Sequence, residues 1–211
     1  MILSVSDQAY AGLQKSPIAI PWNVDEDIRL QARYLRNFLQ RRINGAVSVG
    51  ISCLGCEEGV SWVAAKLACA FAENRERTLL VDWNQRHPSQ LEAFDAQRNE
   101  ISVSVIPGLR YFKTVMPELL IATPGQELKD SYPRPQDWSL IVDFDCMKHS
   151  ADVGTNRLPI DGVVFVIESE KQRREAIANA LERIRLSKIE VFGVVVNRKR
   201  QYIPEALYRL L

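Results

Sequence analysis

The residues with the clearest chemical pattern lie in the segment Val47–Leu67, where an apolar run is followed by a loop and then by an apolar helical pattern. A strand, loop and helix in this order bind phosphate when three groups are present. Glycines bring backbone N–H groups onto phosphate oxygens, a lysine neutralises their charge, and a hydroxyl contacts Mg²⁺. Gly59 and Ser61 fit this pattern. They indicate a phosphate-binding loop, although an incomplete one.

The positive charge that such a loop needs is missing. Val60 stands where the lysine would be, and Trp62 replaces the hydroxyl that would follow Ser61. Glu57 and Glu58 precede the helix. A carboxylate about 4 Å from a phosphate oxygen costs up to ~4 kcal/mol at an effective dielectric constant near 20. We therefore expect no tight binding of a nucleoside triphosphate.

Apolar runs alternate with amphipathic helical patterns along the chain, and such strands need burial on both faces. The alternation predicts an α/β fold, with a doubly wound, mainly parallel sheet and helices on both faces. The predicted strands are Ala46–Ser52, Thr78–Val81, Leu140–Val142, Gly162–Ile167 and Val191–Val196. We expect one domain over residues 25–211, preceded by an extended lead-in over residues 1–24.

Two acidic residues end predicted strands. Asp82 follows Val81, and Asp143 follows Val142. In open α/β sheets, ligands bind in the crevice beyond the carboxyl ends of the strands. These residues are therefore candidates for the functional site.

Composition excludes several classes of function. The 211 residues are 46% hydrophobic and 25% charged, as in ordinary soluble domains. The net charge of +1 provides no general attraction to nucleic acid. No apolar run approaches the ~18 residues of a membrane-spanning helix, and the first residues do not resemble a secretory signal. We expect a cytoplasmic protein with reduced thiols that does not insert into a membrane.

The motifs resemble the bacterial tyrosine kinases of capsule and exopolysaccharide assembly, which are relatives of the Min/Par-type ATPases. The resemblance covers most of the chain and implies the P-loop NTPase type of α/β fold. It rests on Gly59–Ala68, Leu79–Arg86 with Pro88 and Ser89, Leu140–Asp143, Asp161–Val163, Arg173–Ala176, Gly193–Arg198, Tyr202–Pro204 and Leu207–Leu211.

The resemblance also implies roles for individual residues. Asp82 and Asp143 would serve Mg²⁺ and the attacking group, and Asn197 would contact adenine. Gly59, Ser61, Arg86 and Asn197 would be the remnant of a nucleotide site.

The chain departs from the family pattern in two further ways. The second acid of the Asp-x-Asp motif is Asn84. Arg33 and Arg36 keep the spacing of the ring-forming helix, but Leu30 replaces its glutamate, so we expect ring assembly to be impaired. Whether the chain forms another homo-oligomer is open.

These features predict a catalytically deficient relative with a regulatory or scaffolding role in exopolysaccharide or capsule synthesis and export. Its implied partner is the cytoplasmic part of a membrane polysaccharide co-polymerase, the chain-length regulator. This partner would hold it at the inner membrane.

Two alternatives stay open. The first is a weakly active ATPase or tyrosine kinase that binds ATP or ADP with Mg²⁺, in which Lys66 or Lys148 replaces the missing lysine. Solvent-exposed positions are the more ordinary expectation for both lysines. Trp62 either fills the vacated nucleotide pocket or makes an ordinary packing contact.

The second alternative is a zinc-binding or thiol-based module. Cys53 and Cys56 have the two-residue spacing of a zinc site, as do Cys146 and His149. Coincidental buried thiols are the simpler interpretation of these four residues.

Overall fold

An eight-stranded sheet forms the centre of the computed structural model, which describes residues 2–6, 26–55, 57–84, 87–94, 109–114, 118–124, 137–144, 146, 160–169, 171–186 and 189–199. The strands are β1 (Ile2–Ser6), β2 (Ser48–Cys53), β3 (Thr78–Asp82), β4 (Leu109–Lys113), β5 (Leu119–Pro124), β6 (Ser139–Asp143), β7 (Gly162–Glu168) and β8 (Glu190–Lys199). The described helices are α1 (Glu26–Arg42), α2 (Val60–Glu73), α3 (Gln90–Ala93) and α4 (Arg174–Leu186).

The strand order is β1-β8-β7-β2-β6-β3-β5-β4. Every pairing is parallel except that of β4 with β5. The predicted α/β fold with a mainly parallel sheet is confirmed. The strand that carries the loop, β2, lies between β7 and β6, and the two strand-end acids are on the neighbouring strands β6 and β3.

Helices cover both faces of the sheet. Successive strand residues point to opposite faces, so each face presents apolar side chains that the helices bury. On β3, Leu80 joins the apolar cluster beneath α1 and α2. Leu79 and Val81 join the opposite cluster, against which Ile177 and Leu181 of α4 pack. Strands buried on both faces explain the continuous apolar runs in the sequence.

Helix α1 presents one apolar stripe to the core. Ile28, Ala32, Leu35 and Leu39 are buried, as their helical spacing predicts. Arg29 and Arg33 at its exposed edge both bind the Glu73 carboxylate of α2, at 2.6 and 3.2 Å. None of the helices in the described part of the chain is both long and apolar enough to cross a membrane.

Three strands of the sheet were not among those predicted. Strands β4 and β5 form an antiparallel pair at one end. At the other end, β1 pairs in parallel with β8, so Ile2–Ser6 of the predicted lead-in belongs to the sheet. The boundary placed after residue 24 stays a prediction, and residues 7–25 lie outside the described part.

Candidate functional site

The loop from β2 to α2 ends at a glycine in a left-handed conformation, and an apolar residue follows it. Gly59 precedes the helix with φ 85° and ψ 28°, a left-handed conformation that favours glycine. Val60 then begins α2 with its side chain buried in the core beneath α1 and α2. Val60 therefore packs in the core and offers no charge to a ligand.

The side chain of Glu58 contacts the loop from which it comes. The carboxylate is buried and accepts a hydrogen bond from Nε2 of Gln172 at 2.5 Å. The backbone N–H groups of Leu54 and Gly55 also bond to it. Burial raises the pKa of Glu58 because desolvation outweighs these hydrogen bonds and the nearby charge of Lys171. The Glu58 carboxylate thus accepts hydrogen bonds from amide groups of its own loop.

Asp82 and Asp143 lie side by side, in register on β3 and β6. Oδ2 of Asp82 accepts the backbone N–H groups of Ser89 and Gln90, each at 2.9 Å, and so holds the start of α3. Burial raises the pKa of Asp82 to about 6, against the lowering effect of these hydrogen bonds. The two acids that end predicted strands are therefore direct neighbours in the sheet.

Gln90 is the residue of this site that sequence reasoning missed. Its buried Nε2 donates to Oδ2 of Asp143 at 2.8 Å and to the carbonyl oxygen of Ser61 at 2.8 Å. One amide group therefore links β6, α2 and α3. The only signal in the sequence was a polar pair, Ser89 and Gln90, after the second acidic motif.

The loop between β2 and α2 does not fit a bound phosphate in the arrangement described. The Glu58 carboxylate bonds to amides of the loop, and Gln90 donates to an oxygen of Asp143. Bound phosphate would meet the carboxylate without a cation at Val60 to offset the repulsion. We therefore derive no phosphoryl-transfer step at this site.

Asn197 is fully buried at the end of β8. Its Nδ2 donates to the carbonyl oxygen of Glu58 at 2.8 Å, and its Oδ1 accepts the N–H of Arg198 at 3.0 Å. Its side chain thus ties β8 to the loop, while adenine contact stays a prediction. Arg86 lies outside the described residues.

Lys66 is buried, so the expectation that it is solvent-exposed was wrong, while its role in place of the missing lysine stays a prediction. It is buried between α1 and α2, with Nζ 5.7 Å from the centroid of the Trp62 ring. The two residues line a cavity of about 30 Å³ with residues of α1, including Ile28 and Leu35. Burial lowers the pKa of Lys66. Trp62 packs between helices, while its role as a plug of a nucleotide pocket stays a prediction. Lys148 lies outside the described residues.

Two of the four predicted zinc ligands are described. Cys53 and Cys146 are buried in the core beneath α1 and α2, and Cys53 Sγ donates to the carbonyl oxygen of Gly55 at 2.7 Å. Cys56 and His149 lie outside the described part. Within that part, no group of three or more His, Cys, Asp or Glu residues could hold a metal ion. The zinc hypothesis gains no support.

The arginines of α1 bind within the chain. Arg33 pairs with Glu73, and Arg36 donates to the carbonyl oxygen of Ala70 at 3.3 Å. Leu30, at the position of the family glutamate, is exposed. These contacts use the arginines internally, while the oligomeric state stays a prediction.

Solved structures share this fold. The chimerical protein CapA2B2 is 22% identical, with 95% of this chain and 93% of that chain covered and a TM-score of 0.66. The kinase domain of the Escherichia coli tyrosine kinase ETK is 13% identical, with 97% and 92% covered and a TM-score of 0.65. A nucleotide-binding protein from Archaeoglobus fulgidus in complex with ADP is 16% identical, with 80% and 74% covered and a TM-score of 0.56.

No protein-family model matches the sequence, and no curated protein matches it. The structural likenesses extend over almost the whole length of the kinase domain and of the chimera. At these identities, they establish the fold. The resemblance predicted from the motifs is thus confirmed at this level, and the chain has the α/β, P-loop type of fold found in bacterial tyrosine kinase domains.

Proposed function

We propose that this chain is a relative of the bacterial tyrosine kinases that has lost phosphoryl transfer. It acts as a regulatory or scaffolding component of bacterial exopolysaccharide or capsule synthesis and export. The shared fold supports the relationship, and the motifs quoted above support the pathway. Its place is the cytoplasm, at the inner membrane when bound to its partner.

The observation that carries this proposal is the burial of Val60 in the apolar core at the position of the family lysine. Phosphoryl transfer depends almost wholly on positioned positive charge and metal. A protein with this site acts through contacts with other proteins.

The proposed partner is the cytoplasmic part of a membrane polysaccharide co-polymerase. A binding experiment with that segment, with and without ATP and Mg²⁺, tests the role directly. We expect a complex whose affinity is the same in both conditions, and no phosphotyrosine on either protein. Absence of a complex, or phosphotyrosine that disappears in the Asp143→Asn variant, would contradict the proposal.

A weakly active ATPase or kinase is the second candidate function, and one observation favours it. Lys171 lies close enough to Glu58 to lower its pKa, so a cation is present near the loop. Lys171 also pairs with Glu168 at 3.0 Å. If Lys171 replaces the missing lysine, the wild type hydrolyses ATP and Lys171→Gln does not, whereas the exposed control Arg173→Gln keeps the activity.

A further inference from the structure

We propose that the loop between β2 and α2 contains a built carboxylate-binding site, and that Glu58 occupies this site as a tethered internal ligand. The loop is thereby closed to external anions. This inference goes beyond the proposed function because it assigns ligand chemistry to the loop whichever protein partner binds.

The site has donors from two separate parts of the chain. The backbone N–H groups of Leu54 and Gly55 come from the loop, and Nε2 of Gln172 comes from the segment between β7 and α4. Glu58 itself has no exposed surface. Hydrogen bonds to an ionised acceptor are stronger than those between neutral groups. The Gln172 bond goes to Oε1 of Glu58, while Oε2 is buried with no hydrogen-bond partner in the described part of the chain. The carboxylate is therefore enclosed by the protein and is not in a surface contact.

Gly55 shows how closely the site encloses its ligand. A Cβ atom at this position would lie 2.5 Å from Nε2 of Gln172 and 2.6 Å from Oε1 of Glu58. No side chain fits there unless both residues move. A side chain at this position would therefore displace the ends of the Gln172 and Glu58 side chains.

Glu58 is also held through its backbone. Its carbonyl oxygen accepts the hydrogen bond from Asn197 at the end of β8. Its side chain reaches the segment after β7 through Gln172. Removing the carboxylate would therefore break the contact with the segment after β7, while the backbone bond to Asn197 would still hold Glu58 near β8. Glu58 thus holds the loop in one arrangement.

Amide hydrogen exchange at Leu54 and Gly55, measured with and without inorganic phosphate, tests the inference. In the wild type, both amides should be protected, and phosphate should change neither exchange nor melting temperature. In Glu58→Ala, both amides should exchange about tenfold faster or more, because they lose a charged acceptor. Saturating phosphate should then restore protection and raise the melting temperature.

Matched variants keep the test decisive. Glu57→Gln removes an exposed neighbouring charge and should behave as the wild type. If Glu58→Ala does not fold, Glu58→Gln retains an acceptor oxygen and should give intermediate protection. Equal exchange in wild type and a folded Glu58 variant would overturn the inference, as would wild-type phosphate binding as tight as that of Glu58→Ala. Neither result bears on partner binding, so failure here is distinct from failure of the proposed function.

Discussion

At the scale of single residues, the site is defined by polar groups that bind one another. Sequence reasoning placed Asp82 and Asp143 at one sheet edge, because strand ends can be read from apolar runs. It did not find the role of Gln90 or the inward turn of Glu58. Glu58 and Gln172 are 114 positions apart, so local spacing carries no sign of their contact.

Asp82 makes stability depend on pH. Burial raises its pKa from the ordinary value of 3.8 to about 6, so the folded state binds a proton more tightly than the unfolded chain. The contribution of Asp82 to the free energy of unfolding is therefore greatest below about pH 4 and decreases as the pH rises to about 6. Asp82→Asn removes this cost and retains an acceptor for Ser89 and Gln90.

We expect Asp82→Asn to raise the free energy of unfolding by about 2 kcal/mol at pH 7.5 and to flatten its pH dependence between pH 4 and 6. Urea unfolding across this range measures both effects. The exposed variant Glu92→Gln is the control. A less stable Asp82→Asn protein at pH 7.5, or an unchanged pH slope, would show that burial of this charge carries no cost.

Gln90→Leu keeps the approximate volume of the side chain and removes its amide. Asp143 and the carbonyl oxygen of Ser61 then lose a hydrogen-bond donor in a buried setting. We expect a loss of about 1–3 kcal/mol in the free energy of unfolding. Denaturant midpoints of the wild type, Gln90→Leu and the exposed control Glu92→Gln provide the measurement. If both variants match the wild type, Gln90 does not hold the site together.

At the scale of elements, the strands beside the loop were predictable and the outer strands were not. Strands β2, β3, β6, β7 and β8 are apolar runs because both their faces are buried. Strand β4 (Leu109–Lys113) mixes apolar and charged residues at an open edge of the sheet, so its sequence lacks that signal. Strand β1 is at the opposite edge, with β8 as its partner.

The contact between α1 and α2 gives a prediction about Lys66. Its charged form is disfavoured by burial, which lowers its pKa. Lys66→Met should therefore raise the free energy of unfolding by about 1 kcal/mol, since a flexible apolar side chain of similar length fills the same space. Thermal unfolding at neutral pH measures this change. A marked loss of stability would instead assign the ammonium group a stabilising role between the helices.

At the scale of the whole molecule, the fold is the one found in kinase domains. The polar side chains beyond the carboxyl ends of its strands bond to one another, as Gln90 does to Asp143 and Gln172 to Glu58. A shared fold does not determine activity, which depends on the groups at the site. We propose that this chain has lost the charge needed to hold a nucleotide. We therefore expect a stably folded domain that binds its protein partner equally well with and without nucleotide.

Calorimetric titration of the wild-type protein with ADP and with ATP, each with Mg²⁺, tests this claim most directly. The kinase domain of ETK, which shares the fold, serves as the reference for a tyrosine kinase under the same conditions. We predict no saturable heat for this chain into the millimolar range of nucleotide. Sub-micromolar affinity for either nucleotide would contradict the account.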